Sequence, residues 1–319
     1  MRERYLEESF SFFRREPKEV AARELFQFIR AHKVKEPTTH SVREMCKVLK
    51  VSEAGYYKWL RLQDRPYKYD ELLAKIRKIR ANNSDYGAYR IYLDLKLFHN
   101  YTGSYYVILK LCKKHHLMLK KRRHPKGLTK ADLAAQASEN LIQQNFSASS
   151  PNQKWLGDIT EIPTANGKLY VSAILDCFDG TIVGLKMDDH MRAELCVEAF
   201  TAAANKYHAY GMVFHSDRGS QYTSKAYREV LSSYGATQSM SNTGKCYDNA
   251  RMESFFATLK KELIYKVKTE TLRMDTVKSM VFRYIEAYYN RRRIYTTNGG
   301  YPPLMKRLIY QQVNSKPAA

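Results

Sequence analysis

Three acids stand out by their placement. Asp158 lies inside "WLGDIT", flanked by apolar residues in a stretch that reads as a strand. A carboxylate is disfavoured in a strand interior and costly to bury unpaired, so something must compensate it. Asp217 ends the short apolar run "MVFHSD", and Glu253 sits in "CYDNARMESFFATLKKEL", a helix with an apolar stripe. Acids from a strand centre, a strand end and a helix can converge on one side of a sheet, where hard oxygen donors suit Mg²⁺ or Mn²⁺. Two such ions can activate an attacking oxygen and stabilise a leaving one in phosphodiester displacement. Spacing alone leaves the triple open, because 32 acids offer many combinations, and Asp176, Asp179, Asp188 and Asp248 compete. Asp179 fits its Asp-Gly turn, Asp248 a cap for the Glu253 helix, and Asp176 either a supporting acid or a surface residue.

Other polar groups take supporting roles. Lys260 follows Glu253 by seven residues, nearly two helical turns, so both project from one face with small Ala257 between them. It is either a surface lysine on a basic helix or a cation set against a DNA phosphate. His215, two residues before Asp217, and Asn249, four before Glu253, are candidates for hydrogen bonding behind the acids. Phe255, Phe256, Leu259, Trp59 and Trp155 fit a core. No Ser-His-Asp or Cys-His signature is present, and displacement by an activated oxygen needs none. The five cysteines contain no CxxC pair, and the adjacent His115 and His116 lack a zinc partner set.

The charge balance names the partner class. The formal net charge is +22, divided as +15 over residues 1–150 and +7 over the rest. So large an excess points to a polyanion, with nucleic acid the commonest, over a surface charged only for solubility. No apolar run approaches a membrane span and no signal peptide is visible, which leaves a bacterial-type cytoplasm or nucleoid as the expected location.

The elements that must position these groups divide at about residue 150. Residues 1–38 read as a helical lead-in with Val20, Leu25, Phe26 and Ile29 at helical spacing. In "THSVREMCKVLKVSEAGYYKWLRL", Ser41 caps one helix and Ser52 a second. Two short helices joined by a tight turn match a helix-turn-helix, and spacing alone equally fits a generic helix pair. If the second helix enters a major groove, Tyr56, Tyr57 and Lys58 are its expected DNA contacts. Past Pro66 a second helical unit follows, with Ser104 capping "YYVILKLCKKHHLMLKKRRHPKG". Nine Lys or Arg and no acid lie between Lys110 and Lys130, among them Lys113, Lys114, Lys120, Lys121, Arg122, Arg123 and Lys126, which favours contact with phosphates. Residues 131–152 lose that charge and read as a linker. Then three meandering strands and alternating helix and strand predict a mixed sheet flanked by helices, an α/β class. Arg291, Arg292 and Arg293, after "YIEAYYN", are expected on the DNA backbone. The expected divisions are thus 1–65, 66–130, a linker 131–152, a core 153–290 and a basic tail 291–319.

The segments "WLGDIT", "FHSDRGSQYTS", "SMSNTGKCYDNARMESFFATLKKEL" and "YIEAYYNRRR" resemble the DDE transposases of the insertion-sequence 3 (IS3) family, relatives of retroviral integrases. Fifty-eight residues separate Asp158 from Asp217, and 35 separate Asp217 from Glu253, the latter the family's hallmark. The match covers about residues 150–303 and extends upstream through "SVREMCKVLKVSEAGYYKWL" and "YGAYRI". Lys245 and the loose tail "YTTNGGYPP" depart from the family pattern. The resemblance implies an RNase H-like catalytic core built on a five-stranded mixed sheet, preceded by all-α helix-turn-helix modules. It also implies Asp158, Asp217 and Glu253 as ligands of two Mg²⁺ or Mn²⁺ ions, and double-stranded DNA, both element ends and target, as substrate. Strand transfer by a 3'-OH, a circular DNA intermediate and a homo-oligomeric synaptic complex follow from the same resemblance. The rival expectations are a non-catalytic DNA-binding regulator and a plain RNase H-like nuclease.

Overall fold

The computed structural model describes residues 21–35, 40–63, 68–119, 138–242 and 246–314. Lys120, Lys121, Arg122, Arg123, Lys126 and Lys245 lie outside them. The chain divides into two compact units, Met1–Lys75 and Ile76–Ala319.

The first unit is helical. Helices α1 (Ala22–Lys35), α2 (Val42–Val48) and α3 (Glu53–Gln63) enclose a core of Leu25, Phe26, Ile29, Met45, Leu49 and Tyr56. Ser41 caps α2 in a reciprocal box with Glu44, and the Ser52 hydroxyl accepts from the Gly55 amide, so both expected caps form.

Helix α4 (Asp70–Asn82) leads into the second unit, where α5 (Ala88–Phe98) and α6 (Tyr105–Lys114) pair. Ser104 caps α6 by accepting from the Tyr106 amide. The sheet follows: β1 (Lys154–Thr164), β2 (Gly167–Asp176) and β3 (Ile182–Asp188) form an antiparallel meander. Helix α7 (Ala193–Tyr207), β4 (Val213–Ser216), α8 (Lys225–Ser233) and β5 (Thr237–Met240) complete it, with β4 and β5 parallel to β1. The spatial order β3-β2-β1-β4-β5 is the mixed five-stranded, RNase H-like arrangement. Helices α9 (Ala250–Glu262) and α10 (Met274–Arg283), the latter continuing as a π-helix over Tyr284–Tyr289, precede α11 (Pro303–Asn314).

Period-two alternation gives the sheet two apolar faces. Leu156, Ile162, Val171 and Ala173 pack under Met252, Phe255, Phe256 and Leu259 of α9, while Trp155, Ile174 and Phe214 pack with Phe200 of α7 and Tyr227 of α8. Gly157 is required at its place, because a Cβ there would stand 2.4 Å from the Phe214 ring. The helix pair also docks on this core. Glu262 at the end of α9 accepts from Arg293 at 2.7 and 2.9 Å, from Tyr284 Oη at 2.8 Å and from Arg90 of α5 at 3.4 Å. Burial pushes the Glu262 carboxyl up, but Arg293 and its other partners hold it below its ordinary value.

Two expected segments behave differently. Residues 138–142 are no free linker: the Met240 amide donates to Glu139 O, the Leu141 amide donates to Ser239 Oγ, and Ile142 enters the core. Residues 303–314, within the expected basic tail, form helix α11 and pack inward. Arg307 is buried and donates to Asp176 (2.6 Å) and Asp179 (2.8 Å), while Trp155 and the Asn152 and Phe178 amides complete the Asp176 carboxylate. Neither acid is therefore a metal ligand or a surface group.

Removing Arg307 strands two buried carboxylates. Arg307→Met is expected to destabilise the fold by about 3–5 kcal/mol, and Arg307→Lys by less, because lysine keeps the charge without the fork. Urea denaturation of the three proteins measures both.

Candidate active site

Asp158 has the strand parity of Leu156 and Ile162, which places it on the face that α9 covers. On α9 the apolar Met252, Phe255, Phe256 and Leu259 turn inward, leaving Glu253 exposed and Lys260 half-buried on an adjoining flank. Asp217 follows the last residue of β4, and its Oδ1 accepts from the Gly219 amide at 3.0 Å, an Asx turn that fixes the carboxyl at the strand's end. Asp158 Oδ1 accepts from the Ile159 amide at 2.8 Å.

Asp158 senses the other two acids. Burial, then the charge of Asp217 and, more weakly, that of Glu253 raise its carboxyl to about 8, opposed by the Ile159 amide and least of all by Lys260. Their oxygens do not all lie within 4.8 Å of one another; among the described residues only Asp188, Asp189 and His190 do. That second group is partly exposed, with His190 Nε2 3.5 Å from Asp188, and such surface acids are common without an ion. The wider triple has the donor chemistry for a divalent cation: three carboxylates, one of them raised by burial and by the other two.

Asn249 links two of these elements. It is buried at the start of α9, and its Nδ2 donates to Gly157 O at 3.3 Å, tying the Glu253 helix to the strand residue beside Asp158. The expected cap by Asp248 is corrected: Asp248 instead accepts from Asn140, Gln144 and the Asn242 amide, because it is buried against the 138–144 segment. His215 is buried too. Its ring pairs with Ser239 Oγ (2.8 Å) and Ser241 Oγ (3.1 Å), and burial drives it down to about 4, so it stays neutral and braces β4 against β5.

The expected DNA contacts separate by burial. Arg293 is 3% exposed and committed to Glu262, and Tyr56 is 3% exposed between Phe26 and Trp59, so both are structural and the expectation for them is corrected. A three-arginine run and a Tyr-Tyr pair on a helix each turn one member inward, which charge counting does not register. Arg291, Arg292, Tyr57, Lys58, Lys113 and Lys114 are exposed. Two further residues share that character and were not singled out by sequence: Tyr106 and Lys110 of α6. They lie at i and i+4, with Lys113 at i+7, on the face opposite buried Ile108, Leu111 and Cys112. The apolar period of the buried side was the signal that could have found them.

Comparisons with known proteins agree with this layout. Residues 148–246 and 234–303 match two integrase core domain models, and residues 68–125 match an HTH-like domain. The transposase of insertion sequence element IS904 from Lactococcus lactis is 42% identical over 230 residues, covering 70% of this chain and 88% of that protein. Transposase InsF of IS3A from Escherichia coli is 32% identical over 287 residues, covering 87% and 96%. The catalytic core domain of HTLV-2 integrase in complex with magnesium superposes with a TM-score of 0.40 and 17% identity, over 50% of this chain and 99% of that one. With its integrase core, its HTH-like module and relatives matched over most of their length, the chain belongs to the IS3 family of DDE transposases.

Proposed function

We propose that the chain binds the terminal inverted repeats of its element and carries out Mg²⁺-dependent phosphodiester hydrolysis followed by strand transfer. The observation that carries this reading is the arrangement of the acids: Asp158 on the β1 face that α9 covers, Glu253 on α9, and Asp217 at the end of the neighbouring β4, near enough that both acids raise the Asp158 carboxyl. Asp158, Asp217 and Glu253 are the proposed ligands of two divalent cations. Bound there, the cations supply Lewis-acid polarisation of the scissile phosphate and of the attacking oxygen. The protein's own part is geometric and electrostatic. Asn249 holds the helix of Glu253 to the strand of Asp158, the Asx turn holds Asp217, and Lys260 meets a phosphate oxygen beside the reacting centre. A water is the first nucleophile and the freed 3'-OH the second, so no side chain is acylated or phosphorylated. Strand transfer joins two ends, which fits a circular intermediate and a homo-oligomeric complex. The α6 face of Tyr106, Lys110 and Lys113, with Lys114, Arg291 and Arg292, provides DNA-backbone contacts, and Tyr57 and Lys58 offer the same on the first unit.

Asp158→Asn, Asp217→Asn and Glu253→Gln are each expected to lower strand joining on element-end DNA by roughly a thousandfold, equivalent to about 4 kcal/mol of barrier. Full activity in all three variants overturns the assignment. Binding by the native chain without cleavage or joining in Mg²⁺ or Mn²⁺ favours a regulator, and cleavage without joining a nuclease.

A carboxyl whose pKa rises on folding destabilises the fold once the unfolded chain ionises. For Asp158 that cost is absent at pH 3, grows as pH passes 3.8, and levels off above about 8. Metal-free Asp158→Asn is accordingly expected to melt above the native chain at pH 8 and level with it at pH 3. Mg²⁺ is expected to raise the melting temperature of the native chain and not of the variant, by calorimetry.

For the α6 face, Lys110→Ala and Lys113→Ala should each reduce the slope of log K against log salt by roughly 1. Tyr106→Ala should weaken binding without changing that slope. Titration of labelled end DNA from 50 to about 200 mM salt reads both.

A further inference from the structure

The loop after Asp217 and the segment that leads to Glu253 meet at one peptide group. Arg218, next to Asp217, donates from Nε to Ser241 O at 2.8 Å. The N–H of that same peptide belongs to Asn242, and it donates to Asp248 Oδ2 at 3.0 Å. In a trans peptide the C=O and N–H point in opposite directions, so the group is gripped from both sides. One side leads through the Asx turn at Gly219 to the Asp217 carboxyl. The other leads through Asp248 and Asn249 into α9 and Glu253.

Electrostatics favour that grip. The peptide turns its carbonyl toward a guanidinium and its N–H toward a carboxylate, so both hydrogen bonds are charge-assisted and each polarises the other. Asp248 is buried and also accepts from Asn140 and Gln144, which anchors its end of the chain of contacts. Ser241 is held at its other atoms as well. Its amide donates to Ser216 O at 2.9 Å, and its hydroxyl pairs with His215, so the gripped peptide is fastened to the last residue of β4. The cation nearest Asp217 in sequence thus has its Nε–H committed to the backbone.

We propose that Arg218 is a positioning residue of the active site: by clasping the Ser241–Asn242 peptide it fixes the turn of Asp217 against the segment that delivers Glu253. This rests on the reading of Asp217 and Glu253 as metal ligands and names a residue that sets their separation. Asn249 makes the corresponding tie between β1 and α9, so the two contacts together relate all three acids. The role belongs to the Nε–H and not to the charge.

Three substitutions separate donor from charge. Arg218→Gln keeps a side-chain N–H where Nε stands and removes the charge. Arg218→Met is equally neutral and puts a methyl group there, and Arg218→Lys keeps the charge and puts a methylene there. If only charge mattered, the two neutral variants would bind a divalent cation equally, both more tightly than the native chain, and Arg218→Lys would match the native chain. The clasp gives a different order. Calorimetric titration of Mn²⁺ into the full chain without DNA is expected to show Arg218→Met and Arg218→Lys roughly tenfold weaker than Arg218→Gln, with Arg218→Gln at least as tight as the native chain. Thermal melting verifies that each variant is folded. Hydrogen exchange of the metal-free proteins gives a second measurement: the Gly219 and Asn242 amides are expected to exchange faster in Arg218→Met and Arg218→Lys than in Arg218→Gln, with the Ala173 amide of β2 alike in all. Equal Mn²⁺ affinity across the variants, or unchanged exchange, overturns the proposal. Faster exchange without weaker Mn²⁺ binding overturns it too, because Arg218 then only supports the fold. A native chain that binds no Mn²⁺ counts against the proposed chemistry, and exchange alone then decides the clasp.

Discussion

Burial and like charge meet at Asp158, and the elements around it hold that arrangement in place. Its strand holds it half-buried, Asp217 closes the neighbouring strand, and Glu253 arrives on a helix packed over the same face. Lys260 is the smallest of the influences on Asp158 and pulls against the larger effects of burial and two carboxylates. Such a site is poor for stability and good for binding a divalent cation, since the charge the fold leaves unbalanced is the charge the ion supplies. The rigid supports around it have the same purpose. Gly157 admits Phe214 beneath the strand, Asn249 fastens α9 to the Gly157 carbonyl, and neutral His215 braces β4 against β5 without adding charge.

The same helix reaches the α5–α6 pair. Nine residues beyond Glu253, Glu262 gathers Arg293, Tyr284 and Arg90, and Arg90 belongs to α5 of the helix pair. Tyr86 accepts from the Ile294 amide and Tyr288 donates to Asn83, extending the junction. One helix thus carries Glu253 near its start, where Asn249 ties it to Gly157, and Glu262 at its end, where Arg90 of α5 reaches it. Charge on this protein is thus of two kinds. Arg293 and Arg307 are structural cations, each neutralised by a buried acid, while the lysines of α6 remain on the surface.

How much of this was legible in the sequence depends on whether a residue's role is local. The Ser41, Ser52 and Ser104 caps were readable, because capping needs only a hydroxyl at the start of a periodic run. The meander and the alternation after it were readable from apolar period and turn residues. Long-range pairings were not. Asp176 and Asp179 find Arg307 more than 120 residues away, and Asp248 finds Asn140 across 108, partners that spacing could not show, although Asp179 also keeps its expected turn by accepting from the Thr181 amide. Segment 138–142 read as linker because the basic run ends before it, yet its backbone hydrogen bonds lie along β5.

Arginine shows the same limit most sharply. Arg291, Arg292 and Arg293 look equivalent as a run, yet the third is buried because the chain bends there and Glu262 waits beneath it. A buried guanidinium is tolerable only when its acid is already in place, so its position is fixed by tertiary packing and not by neighbours in sequence. Applied to α11, the same reasoning explains how the helix is turned. Burying Arg307 against two acids requires its side of α11 to face the core, and Leu308, Ile309 and Val313 are left outward as a consequence. The energetic demand of one ion-pair cluster thus sets which face of the helix is exposed.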